Sequence, residues 1–128
     1  MRLGRWPVLL VLLPLLTGCS DYRERRRLAS VVSDLGAAAA RRDSAGAARL
    51  LHDPETVGTL LRGADPHLVR DLGATLRIRE ADFFDGRAII FGDFRHCSAR
   101  ESVSISFGRT GQDWRIGRIQ MRTGTWAA

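Results

Sequence analysis

ESVSISFGR, residues 101–109, decides the fold. Val103, Ile105 and Phe107 fall on one side of an extended chain, and Ser102, Ser104 and Ser106 on the other. Alternation with period two describes a strand with one buried and one solvated face, the usual condition of an antiparallel sheet. The same period holds on both sides of this stretch. It predicts strands over 74–84, 87–96, 101–109 and 114–122. Asp85-Gly86 is a tight hairpin between the first two, and residues 110–113 form the last turn. In the last strand Trp114 and Ile116 share a face, but Ile119 and Met121 have the opposite parity. A bulge at Gly117 would restore the register.

Upstream of residue 74 the period is helical. Leu28, Val31, Val32, Leu35 and Ala39 form one apolar stripe, which predicts a helix over 21–42. Asp43 reads as the N-cap of a short run over 44–51. Asp53-Pro54-Glu55 opens a further helix carrying Val57, Leu60 and Leu61, ending near Gly63. Asp65-Pro66 opens another turn or two, carrying Leu68, Val69 and Leu72 and stopped by Gly73. Helices first and strands last imply an α+β fold, with N-terminal helices packed on a curved four-stranded antiparallel sheet.

The first residues follow other rules. Arg2 and Arg5 precede an apolar run from Trp6 to Leu16, and Leu16-Thr17-Gly18-Cys19 follows the order aliphatic, small, small, cysteine. The apolar run is too short to span a bilayer core of ~30 Å. It suits a signal peptide, with Pro14 helping the cleavage site to lie extended. The box is similar to the lipobox of bacterial lipoproteins. In that reading Leu16, Thr17 and Gly18 are read by the signal peptidase, and Cys19 is acylated to become the new N-terminus. The organisation expected is a signal peptide over 1–18, a lipidated tether over 19–27 and one domain over 28–128. Two or three acyl chains anchor a protein stably without a spanning helix. The protein would then face the periplasm on the cell envelope, the outer membrane favoured by Ser20.

All basic residues are arginine, and the net charge is +6. Part of that charge, Arg23, Arg25, Arg26 and Arg27, would sit at the headgroup surface, where each can add ~1 kcal/mol on an anionic leaflet. The alternative is a solvated helix start, with Asp21 and Glu24 offsetting the charge. No aromatic-plus-basic stacking pattern points to nucleic acid.

The residues over 35–54, LGAAAARRDSAGAARLLHDP, and the closing GQDWRIGRIQM resemble small lipoproteins with a nuclear transport factor 2-like domain. The resemblance implies a cone-like α+β roll whose helices and sheet enclose a pocket. Some members of that family are isomerases or dehydratases, and many are binding modules.

Three residues are candidates for chemistry. Asp93 shares a strand face with Ile89, Phe91 and Arg95. It is read either as a general base whose pKa apolar neighbours raise or as an ion-pair partner of an arginine such as Arg95. His96 and Cys97 are adjacent. On a regular strand they would point to opposite faces, which argues against a shared metal ion and against a Cys–His nucleophilic pair. Cys97 is expected to be half-buried at a strand end, with a mixed disulfide to a partner chain as the alternative. Trp114 is expected in the core. No cofactor or metal motif is present in the sequence. The expectation is a non-enzymatic, membrane-anchored envelope module that binds or scaffolds a partner protein or a small apolar ligand, with a structural subunit that oligomerises through its sheet as a further reading. The alternative is a pocket enzyme of the isomerase or dehydratase kind using Asp93.

Overall fold

The computed structural model describes residues 6–53, 65–121 and 124–127, with side chains described over 21–53 and 66–121. Its helices are α1 (Trp6–Ala40), α2 (Ser44–Ala48) and α3 (Asp65–Thr75). The strands are β1 (Arg77–Phe84), β2 (Arg87–His96), β3 (Ala99–Thr110), β4 (Asp113–Met121) and β5 (Gly124–Ala127). They form one antiparallel meander in chain order. The α+β order and the four expected strands are therefore present. β5 adds a short fifth strand along Arg118–Met121. The helix expected after Asp53 lies outside the described residues.

Two bulges set the register. Ser106 pairs with Arg118 and Phe107 with Ile116, so Gly117 is the extra residue. That one insertion lets Trp114, Ile116, Ile119 and Met121 all be buried on the same face. The second bulge places Arg79 between the pairs Ile78–Gly92 and Glu80–Phe91. A Cβ on Gly92 would lie 2.2 Å from the Arg77 carbonyl oxygen, so only glycine fits opposite this bulge. Beyond its first half, the free edge of β4 is covered by β5. At its first half, Ile116 exchanges backbone hydrogen bonds with the segment after α2: His52 N–H donates to Ile116 and Ile116 N–H donates to Leu50, at 2.9 and 2.8 Å. Asp43 caps α2 as expected, accepting from the Gly46 N–H at 3.0 Å.

The core lies between the helices and one face of the sheet. Leu28, Val32 and Leu35 of α1, Val69 and Leu72 of α3, and Ile90, Phe94, Ile105, Ile116 and Ile119 of the sheet are all at most 1% exposed. Each such side chain contributes about 1.5–3 kcal/mol by leaving water.

Three expectations are corrected. α1 begins at Trp6 rather than near Asp21, and it continues through Pro14 and the segment 16–19. Proline removes one helical hydrogen bond, and the apolar residues on both sides are good helix formers. α3 does not stop at Gly73 but runs to Thr75, which delays β1 to Arg77. Gly73 instead meets Gly36 of α1: a Cβ on either would lie 2.9 Å from the other's Cα. The missing side chains let α1 and α3 cross backbone to backbone. The Cys97 turn, described below, is the third.

Candidate functional site

Alternation gives the sheet two faces of different character. Among the described residues, the helix-facing side is packed. Depressions of about 490, 530 and 520 Å³ exist at the surface, and none is lined by Leu35, Ile90, Phe94 or Ile105. The opposite side carries no described helix. There Phe84 and Phe91 are 47% and 43% exposed, with Ile89 half-buried beside them on β2. Next to them on β3 run Ser102, Ser104 and Ser106, which pair with Asp93, Phe91 and Ile89. Register and contacts place Arg77, Arg79, Arg87, Arg95, Arg100, Arg115 and Arg118 on this face, against Glu80, Asp82 and Asp93. It is a basic, serine-lined surface with two aromatic rings.

Asp93 stands on this open face, beside Phe91 as the alternation implied, and not toward the helices. The Arg79 bulge delivers a guanidinium to it: Arg79 Nε donates to Asp93 Oδ2 at 2.5 Å. Arg100 Nε lies 3.9 Å from the other oxygen, and Arg77 is opposite Asp93 in the register. The side chain is 8% exposed. The Arg79 hydrogen bond, aided by the charges of Arg79, Arg100 and Arg77, outweighs burial and holds the carboxyl below the usual range. This is opposite in direction to the raised value a general base needs. The arginine is not Arg95, whose backbone N–H donates to Thr75 Oγ1 at 2.8 Å. The partners came from a bulge and from β3, which single-strand parity does not reveal.

The β2–β3 connection places a second cluster at the rim. Cys97 and Ser98 have φ of +52° and +64°, so they are the two central residues of a left-handed hairpin turn. The Asp85-Gly86 turn has the same sign at both positions, with the residues such a turn favours. Because Cys97 lies in the turn, strand alternation no longer separates it from His96. Its Sγ is 3.5 Å from His96 Nε2, and the residue is exposed. His96 Nδ1 lies 2.8 Å from Oδ2 of Asp71 on α3. Thr75 staples the end of α3 to the same strand end, donating to the Asp71 carbonyl at 2.7 Å while accepting from Arg95. The Asp71 carboxyl is lowered, first by the His96 hydrogen bond and further by Arg70, against the effect of burial. The expectations that Cys97 is half-buried and that it cannot meet His96 are thus both overturned. Asp71 carried no signal in the sequence, since its role depends on how α3 packs. Among the described residues, no group of three or more His, Cys, Asp or Glu side chains is placed to hold a metal ion.

At the N-terminal side, Arg23, Arg26 and Arg27 are exposed and Arg25 is half-buried on α1. Arg27 pairs with Glu24 at 3.3 Å, and Arg26 lies over the Tyr22 ring at 5.8 Å. Glu24 does more than offset charge: its Oε2 accepts from the buried Trp114 indole N–H at 3.0 Å. The Trp114 ring, 7% exposed as the core reading required, also meets Phe83 and the Arg109 guanidinium. The segment 19–27 is therefore helical and already docked at Glu24. No described helix is long and apolar enough to cross a membrane. Comparison with known proteins gives no match: no family model, no curated protein and no solved structure matches this chain.

Proposed function

We propose that the chain is a bacterial lipoprotein, anchored through acylated Cys19, whose domain binds a partner protein at the cell envelope through the open face of its sheet. The observation that carries this is the face itself: two exposed phenylalanines framed by seven arginines, opposite a filled interior. Exposed aromatic and arginine side chains are the residues that dominate protein–protein contacts. The charge favours an acidic partner. The filled interior supports the partner-protein form of the binding role over the small apolar ligand. The alternative, an isomerase or dehydratase using Asp93, has no support from an arginine-clamped carboxylate outside any enclosed pocket. The roll of the nuclear transport factor 2-like proteins remains our proposal for the finer architecture, on the strength of helices preceding a bulged meander.

The anchoring reading rests on Leu16, Thr17, Gly18 and Cys19 with the flanking apolar run. From Cys19 to Leu28, the first core residue, a helix would rise about 14 Å. Arg23, Arg25, Arg26 and Arg27 fall within that distance, close to the headgroups. The test is made on the full chain in a bacterial host. A photo-crosslinking residue at Phe91 should trap one acidic envelope protein from the membrane fraction, and Arg87→Glu should abolish the adduct. The same probe at Ser33, on the exposed side of α1, should trap none. Equal crosslinking from both positions sinks the open-face reading. Recovery of uncleaved, unlipidated chain sinks the anchor.

A further inference from the structure

We propose that Cys97, His96 and Asp71 form a reactive-thiol site that exchanges with low-molecular-weight disulfides. The site lies on the hairpin end, apart from the open-face surface, and its argument does not depend on the lipid anchor.

Three groups, from α3, the end of β2 and the turn after it, stand in the order nucleophile, base and orienter. Asp71 Oδ2 is 2.8 Å from His96 Nδ1, and His96 Nε2 is 3.5 Å from Cys97 Sγ. An ionised carboxylate can only accept, so the ring must present its N–H at Nδ1. In the neutral ring the lone pair is then on Nε2, the nitrogen that faces the thiol. This is the arrangement by which an adjacent base activates a cysteine. The order is imposed from outside the turn, because Asp71 is held on α3 and α3 is tied to β2 through Thr75.

Arg70 lies beside Asp71, with 3.3 Å between their charged atoms, while Arg95 and Arg100 pair at the root of the turn on the open face. Thiol–disulfide exchange needs in-line access to one sulfur and no enclosed cradle. The exposed turn gives that access.

The step balances without any outside oxidant beyond the disulfide. His96 Nε2 takes the Cys97 proton, and the thiolate sulfur attacks one sulfur of R–S–S–R. The new Cys97–S–R bond forms as the S–S bond breaks. The departing R–S⁻ takes a proton back from the imidazolium and leaves as R–SH. Cys97 is oxidised to a mixed disulfide, and one half of the reagent is reduced.

The test uses the full chain with Cys19→Ser in detergent, which leaves Cys97 as the sole thiol, and a Cys97→Ser blank. Rates with dithiobis(nitrobenzoate) and oxidised glutathione are compared with His96→Gln and Asp71→Asn, each checked for folding by circular dichroism. At pH 7 the parent should react about tenfold or more faster than His96→Gln, since a positioned base supplies that order of acceleration. Asp71→Asn should fall between them. The gap should close near pH 9.5, where a thiol ionises unaided. A parent rate equal to that of His96→Gln at pH 7 overturns the triad.

Discussion

At the scale of single residues, the charged side chains were the hardest to place from their own neighbourhood. Asp93 has arginines at nearby positions on its own strand, yet its bond is to Arg79, fourteen residues away. The consequence is measurable. Its carboxyl ionises at lower pH in the fold than in an unfolded chain, where the value is ~3.9. The ion pairs therefore stabilise the fold fully above that pH and are lost as pH falls through the lower, folded value. Asp93→Asn should be less stable than the parent at pH 7, because three arginines lose their shared counter-charge. It should also lose less stability than the parent between pH 5 and pH 2. Urea unfolding at both ends of that range reads this directly, and parallel curves for the two chains would refute it. Cys97 teaches a related lesson. Alternation is a property of strands, and a residue one step beyond a strand end is exempt from it.

At the scale of elements, the signals were of unequal reach. Period-two alternation over 101–109 and the parity change across Gly117 were legible because a strand's two faces are written into consecutive residues. β3 and the β4 bulge follow that reading. Gly73 has the sequence appearance of a stop signal, yet the element runs on to Thr75. A glycine after an apolar stripe has the same local appearance whether it ends a helix or lets two helices touch. Only the Gly36–Gly73 approach distinguishes them. Gly73→Ala should therefore be destabilising, by about 2 kcal/mol, even though alanine is the better helix former. Thermal unfolding of the full chain should show a lowered midpoint; a raised midpoint would mean that propensity outweighs the close crossing. The hairpin turns give the reverse case. Ser98 holds φ of +64° in a turn that favours glycine. Ser98→Gly should stabilise by about 1 kcal/mol, in the same assay.

At the scale of the whole molecule, the layers divide the labour. The helix face is buried in the core, and the other face carries no described helix. β2 and β3 are central strands, paired on both sides and buried on one face. Hydrogen exchange should be slowest at the amides of Ile90 and Ile105. It should be faster in the five-residue helix α2, which has few core side chains. Exchange at α2 as slow as at Ile105 would contradict this division. The Glu24–Trp114 hydrogen bond joins the start of the domain to β4. It fixes the direction in which α1 leaves the core, and hence how the open face would be presented by an anchor at Cys19.

The sequence by itself determined the order of helices and strands, the bulge at Gly117, the cap at Asp43, the burial of Trp114 and the shared face of Asp93 and Phe91. All of these follow from patterns that are local along the chain, where backbone geometry fixes which residues point the same way. The tertiary structure decided what those local rules leave open. It chose Arg79 for Asp93 and Glu24 for Trp114, set Gly36 against Gly73, and brought Asp71 to His96 and Cys97. Each of these pairs joins residues distant in sequence. Their meeting depends on the angle at which whole elements pack, and no neighbour along the chain encodes that angle.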